Sequence, residues 1–390
     1  MFALNESLVL RAVSMAALCL LGACASDDAP ADTELWPTKG WQVRAPEQEG
    51  MSSSVLEGTR TYAFADGMNT QGVVVVRHGA IVAEWYADGA DEHSWGASWS
   101  MAKSFTSALV GIAIDEGLIP GVDVSMADYL PSWKGTDKEK IKLENVLQMA
   151  SGLHWNESYD PADISSSDII TLVLQEADQL DYAQSRAVEV PPGTRFNYSS
   201  GDTMLLSGVL NVVTGRSAED YAAEKLFGPL GMAQVEWWRD AHGHTLTYCC
   251  LDTPTRDFAR FGLLYERGGN WESGPVVPSS WVQASVEPSA AFEGYGYKWW
   301  LTGRTVEGIP ADTFSARGHD GQYIYVIPSV DIVAVRNGLY VKYDGEPIAD
   351  PNLFGFYPSA GLVAGQGTIA PTAGWSDVEF LKPIIDSITE

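Results

Sequence analysis

Ser100 and Lys103 stand three residues apart in the stretch SWSMAKSFTSALVGIAIDEGL, Ser98 to Leu118. On a helix that spacing puts both side chains on one face, a turn apart. A serine hydroxyl is a weak nucleophile until a neighbour takes its proton. A lysine held among apolar residues has its pKa pushed down and becomes able to take it. The run SFTSALVGIAI behind Lys103 reads as buried helix, with Gly117 as its C-cap, so the charge sits where burial would penalise it. A helix start also points backbone N–H groups at the hydroxyl. The pattern Ser-x-x-Lys is unspecific by itself, and it occurs once in the chain.

Two further stretches carry candidate chemistry. In PPGTRFNYSSGDTMLLSGVL, Tyr198, Ser199 and Ser200 precede an apolar helix. A tyrosine beside a positive charge can lose its proton early and act as a general base, and Ser200 could bond the lysine amine. Equally, a serine there caps the helix and Tyr198 packs. In SARGHDGQYIYVIP, the triplet His319-Asp320-Gly321 leads into an apolar strand. A glycine there lets a substrate approach the backbone, and the Gln322 N–H could donate to an oxyanion. Read alone, it is a loop entering a strand.

Other residues carry less. His242-Gly-His244 has no carboxylate or third histidine at metal-ligand spacing, so both read as surface histidines and no metal is expected. Trp155 and Tyr159, near His154 in SGLHWNESYD, either shape an acyl pocket or pack. The adjacent Cys249 and Cys250 read as thiols, because side chains of neighbours diverge along most backbones. There is no Cys-x-x-Cys, Gly-x-Ser-x-Gly, His-Glu-x-x-His, Walker loop or dinucleotide fingerprint, so no cofactor is expected.

Elements at both ends of the chain must hold these residues. QGVVVVRHGAIVAEWYA reads as a β-hairpin turning at His78-Gly79. Helical segments broken by Pro and Gly follow from Pro120 to about Glu287. Strands return at YGYKWWL, GQYIYVIP and IVAVRNG, and GWSDVEFLKPIIDSI reads as a last helix. The economical fold is α/β: an antiparallel sheet from the N- and C-terminal parts, flanked by terminal helices, with an inserted all-helical subdomain at about 120–287. The cleft between the two parts is the natural site.

In this order and these surroundings, Ser100-Met-Ala-Lys103, Tyr198-Ser-Ser200 and His319-Asp-Gly321 resemble the motifs of the penicillin-recognising serine hydrolases. That group holds class C β-lactamases, D-alanyl-D-alanine peptidases, related esterases and 6-aminohexanoate-dimer hydrolase. The resemblance covers roughly Ala45 to Ser387 and implies a β-lactamase/transpeptidase-like fold. It implies attack by Ser100 on an ester or amide carbonyl, proton relay by Lys103 and Tyr198, and an oxyanion held by the N–H groups of Ser100 and Gln322. The alternatives are a β-lactamase or carboxypeptidase, or a non-catalytic binding module on the same scaffold. Histidine and Asp320 stand where the β-lactamases bind a substrate carboxylate, which points to the esterase and 6-aminohexanoate-dimer hydrolase branch. An aspartate there would repel an anion, with Arg317 the candidate to compensate.

The formal charge is −27, with 51 acidic against 24 basic residues, a balance that excludes nucleic acid as a partner class. At the start, Arg11 precedes the apolar run AVSMAALCLLGA, which ends in LGAC at Cys24. This resembles a bacterial lipoprotein signal, with residues 1–24 as signal, Cys24 lipidated and 25–40 an acidic linker to a hydrolase domain at 41–390. Ala25 after the cysteine favours the outer membrane, with the domain exported to the periplasm.

Overall fold

The structure, a computed structural model, describes residues 34–160, 162–339, 354–356 and 374–389. The signal stretch with Cys24 lies outside them, as does Tyr357-Pro-Ser359, which repeats the Tyr-x-Ser pattern of Tyr198 to Ser200.

Runs of β-branched residues set the sheet. Strands β1 (Thr70–Arg77), β2 (Ala80–Tyr86), β3 (Phe314–Gly318), β4 (Gln322–Ile327) and β5 (Ile332–Gly338) lie in the order β2-β1-β5-β4-β3. All four pairings are antiparallel. The β1–β2 turn is the expected His78-Gly79, with φ of 50° and 77°, a left-handed pair that matches strand twist. Alternate residues feed two cores. Val74, Val76, Ile324, Val326, Val333 and Val335 face one, whereas Val73, Val75, Tyr323, Tyr325 and Ala334 face the other. Burial on both faces explains why these strands read as continuous apolar runs.

Five helices position the site: α1 (Ser53–Ala63), α2 (Ala102–Asp115), α3 (Ser200–Thr214), α4 (Thr255–Glu266) and α5 (Asp377–Asp386). Leu56 of α1 and Phe380, Leu381 and Ile384 of α5 cover one sheet face. Helix α2 is buried from Ala102 through Ala113 and packs between α3 and the β3 edge. Ser199 caps α3 by accepting from the Asp202 N–H at 2.9 Å, and Gly215 ends it with φ 68°.

Three expectations change. The block at about 120–287 is neither all-helical nor undivided: Leu251–Pro254 pairs with Glu236–Trp237 and with Trp95–Ala97 in a small antiparallel sheet, and α4 lies on the large sheet. A Cβ on Gly262 would meet Val333 Cγ1 at 2.5 Å, and the absence of one lets helix and sheet approach. YGYKWWL is not a strand. Tyr295 bridges to Trp300 across a turn in which Lys298 takes φ 64°. The folded unit also begins before residue 41: Arg267 donates to Leu35 O at 2.7 Å, and Trp36 packs on Trp271 at 5.6 Å. Two tryptophans, Trp36 and Trp41, are reason enough for that stretch to dock rather than trail.

Candidate active site

Ser100 lies in a short 3₁₀ turn, Trp99–Met101, that leads into α2. Trp99 takes φ 42°, a left-handed conformation that aims the next residue off the helix axis. Lys103 Nζ makes three bonds: to Ser100 Oγ at 2.8 Å, Ser200 Oγ at 3.1 Å and the Tyr248 carbonyl at 2.9 Å. Its side chain is 1% exposed. Burial lowers its pKa to about 8, against an opposing pull from Glu157. The Tyr198 phenol lies beside the Ser100 side chain, and its ring lies 5.0 Å from Lys103 Nζ. Burial, then the Glu157 charge, raises the Tyr198 pKa, so at rest it is a neutral phenol and not the phenolate that a positive site would give.

The three residues singled out by spacing therefore meet. Their arrangement brings together a hydroxyl, a buried amine of lowered basicity and a neutral phenol, the three kinds of group that nucleophilic catalysis with proton relay requires. The sequence profile of the Beta-lactamase family matches residues 61–340.

The chain belongs to the Beta-lactamase family.

It is a hydrolase of the serine acyl-enzyme type. A 6-aminohexanoate-dimer hydrolase of Paenarthrobacter ureafaciens is 27% identical over 301 residues, 72% of this chain and 73% of that one. Among solved structures, a D-stereospecific amidohydrolase from Streptomyces sp. superposes with a TM-score of 0.56 at 18% identity, covering 74% of this chain and 94% of that one. A family VIII carboxylesterase gives 0.59 at 16%, covering 78% and 95%. Both share the β-lactamase-like fold, an antiparallel sheet with helices on its faces.

Around this family core, one residue stands out that the motifs did not mark. Glu157 Oε1 accepts from Ser200 Oγ at 2.6 Å and from Tyr159 at 3.2 Å, and Oε2 accepts from the Ser200 N–H at 2.9 Å and from Trp155 Nε1. Its signal was a lone carboxylate between two aromatic residues. Trp155 is 5% exposed and packs on Gly201, so it holds Glu157 rather than lining a pocket. Tyr159 is exposed and its ring contacts His319 at 4.7 Å. Beneath the site a second buried lysine, Lys298, donates to Val146 O at 2.6 Å. Burial lowers its pKa and raises that of neighbouring Asp202. A charge inside the aromatic run YGYKWW was the visible clue.

The third motif is arranged otherwise than its sequence suggests. A Cβ on Gly318 would lie 2.2 Å from Ser98 O and 3.2 Å from Ser100 N, so the backbone touching the nucleophile turn is Gly318–His319. Gln322 is the cross-strand partner of Gly318, and its buried side chain accepts from Asn337 at 2.9 Å and the Gly338 N–H at 3.0 Å. His319 Nδ1 sits 2.5 Å from Asp320 Oδ1, and Arg336 clamps the turn through the carbonyls of Asp320 and Gly321, each at 2.7 Å. Gly321 carries φ 76° in that turn. Arg317 is bound to Asp377 at 2.8 Å on the α5 side, so its charge is already engaged away from Ser100.

Two expectations are corrected here. Cys249 and Cys250 are joined by a disulfide. Cys250 takes φ 66°, and this left-handed turn brings back together two side chains that an extended chain would part. His242 and His244 do have carboxylate neighbours. His244 Nδ1 lies 3.1 Å from buried Asp240 and 3.5 Å from Asp178, and His242 Nδ1 lies 3.3 Å from Asp178. The ligand atoms of Asp178, Asp240 and His244 lie within 4.8 Å of one another. Both Asp240 oxygens already accept, from the N–H groups of Gln179, His242 and His244, so the cluster ties a hairpin to the segment at Asp178.

Proposed function

We propose that Ser100 is the nucleophile of an esterase or amidase in which neutral Lys103 is the base. The observation that carries this is the set of Lys103 partners. Ser200 Oγ gives its own proton to Glu157, so towards Lys103 it can only accept, and a carbonyl such as Tyr248 O can only accept. A neutral amine has two N–H groups and one lone pair. As an ammonium Lys103 donates to all three partners; once neutral, it keeps its two N–H groups on Ser200 Oγ and Tyr248 O and leaves its lone pair for Ser100 Oγ.

Ser100 Oγ attacks the substrate carbonyl while its proton passes to Lys103. The oxyanion is met by the Ser100 N–H and by the backbone that follows Gly318. Tyr198, a neutral phenol, hands a proton to the departing alkoxide or amine and is refilled from Lys103. Water then attacks the ester on Ser100, its proton entering by the same groups, and the free acid leaves. Linear amides and short-chain esters are the substrate class, in keeping with a relative named 6-aminohexanoate-dimer hydrolase and structural neighbours named a D-stereospecific amidohydrolase and a carboxylesterase. A β-lactam carboxylate would find Arg317 engaged with Asp377 and His319 paired with Asp320, which argues against efficient β-lactam turnover.

The test sets a p-nitrophenyl ester and a linear amide beside a chromogenic cephalosporin, with the full-length chain and Ser100→Ala. Ester and amide turnover lost in the mutant is the expected result. Turnover that survives Ser100→Ala sinks the assignment, and cephalosporin turnover restores the β-lactamase reading. From the lipoprotein-like stretch Arg11 to Cys24 we further propose export to the periplasm with acyl chains on Cys24 as the tether. Radiolabelled palmitate should enter the wild type and not Cys24→Ala, and no label in either would remove the anchor. No helix among the described residues is long and apolar enough to cross a membrane.

A further inference from the structure

The segment Thr247–Leu251 spends five consecutive carbonyls on the active site and its support. Thr247 O accepts from Thr106 Oγ1 at 2.7 Å, Tyr248 O from Lys103 Nζ at 2.9 Å and Cys249 O from Trp237 Nε1 at 2.9 Å. Cys250 O accepts from the Trp238 N–H at 3.0 Å and Leu251 O from the Ser98 N–H at 2.9 Å. Three of the five donors belong to residues 98–106, the nucleophile and its helix. Regular pairing begins only at Leu251, so residues 247–250 owe their path to these bonds, to Thr247 Oγ1 donating to Thr203 O at 2.7 Å and Tyr248 OH donating to Gln179 at 2.6 Å, and to the disulfide, which acts on the backbone just after the Tyr248 carbonyl. Cys250 holds φ 66°, which a residue with a Cβ does not choose freely. Tying its sulfur to that of Cys249 closes a ring of eight atoms around the intervening peptide and denies both residues the rotations that would relax it.

We propose that the Cys249–Cys250 disulfide is a positioning element of the catalytic site, fixing the Tyr248 carbonyl so that Lys103 presents its lone pair to Ser100. The inference rests on the acyl-enzyme reading above and adds what controls the base. With the Tyr248 carbonyl displaced, Lys103 has an N–H without an acceptor, turns it on Ser100 Oγ, and no longer accepts the proton. Opening the ring needs two electrons and two protons. A dithiol reductant supplies them: the Cys249–Cys250 bond breaks, two thiols form, and the reductant closes its own disulfide.

The experiment reduces the folded full-length chain with dithiothreitol. A gain of two mass units confirms opening, circular dichroism confirms the fold, and hydrolysis of p-nitrophenyl acetate is followed from pH 6 to 10. Reduction should lower kcat about tenfold or more, leave KM within about twofold and displace the acid limb of the pH profile, with reoxidation restoring all three. Cys249→Ser/Cys250→Ser should match the reduced enzyme and ignore reductant. Cys249→Ser/Cys250→Gly should recover part of the loss, because glycine accepts the left-handed φ without a ring. Unchanged kcat and pH profile in the reduced enzyme overturn the proposal, as do two free thiols in the untreated protein. If the untreated enzyme hydrolyses nothing and Ser100 takes no fluorophosphonate, the acyl-enzyme reading fails instead. Positioning is then judged from the ¹⁵N signal of Lys103 Nζ, assigned with Lys103→Met. A titration that reduction shifts supports it, and one that reduction leaves in place overturns it.

Discussion

Glu157 opposes the burial that brings Lys103 to about 8, so it sets how much free base exists near neutrality. Removing its charge while keeping its shape, as Glu157→Gln does, lowers the Lys103 pKa further. The acid limb of kcat/KM, near pH 8 in the wild type, should move to lower pH in the variant, measured with an ester stable over pH 6–9. Loss of the base itself, in Lys103→Met, should cost about 10²–10⁴-fold at every pH. A limb that stays at the same pH in Glu157→Gln means that Lys103 is not the group titrating. Ser100, Lys103 and Tyr198 were legible because their types and spacing are unusual in an apolar setting. Glu157 was not, since a single glutamate in a loop has no period, and only the fold shows that both its oxygens point at Ser200 and its neighbours.

Strand β3 approaches the nucleophile turn through Gly318, whose φ of −124° any residue could adopt. Contact alone demands glycine there, because a methyl group would meet Ser98 O at 2.2 Å. Gly318→Ala should therefore reduce kcat by at least about 10²-fold, as expected when oxyanion donors are displaced, while the thermal midpoint falls by only a few degrees. Retained kcat would show that β3 does not form that wall. A second element-scale effect concerns the hairpin at His242–His244. Asp240 raises the pKa of His244, burial opposing. A raised histidine stabilises the fold fully below its ordinary value near 6.5, and that contribution disappears as pH climbs through the raised value. His244→Gln should thus lower the melting temperature at pH 6 by about 1–3 °C and make little difference at pH 9, as read by calorimetry. The strands and terminal helices were readable from period and branching. The register of β3 against Ser98, the turn at Lys298 and the joined cysteines were not, because each depends on residues hundreds of positions apart or on one left-handed φ.

Across the whole molecule, acidic residues outnumber basic ones by 51 to 24, and a net charge of that sign draws cations towards the protein and repels anions. A cationic ester should be turned over with a kcat/KM several-fold above that of an anionic isostere in 20 mM salt. The gap should close by 500 mM as screening shortens the range of the field. Equal values at low salt would confine selectivity to local contacts. The fold class was legible at this scale because strands at the two chain ends and helices between them admit few arrangements.

Central strand β1 has two neighbours of very different age. It pairs with β2 across a tight turn, and with β5 in a register that joins Thr70 to Gly338. Synthesis delivers Ser100 and Lys103 early and the strand that walls them more than two hundred residues later. Until β3 to β5 pair, β1 has a ladder on one side only and the wall that Gly318 sets against Ser98 and Ser100 is missing, so the site is complete only once the last strands of the sheet have closed.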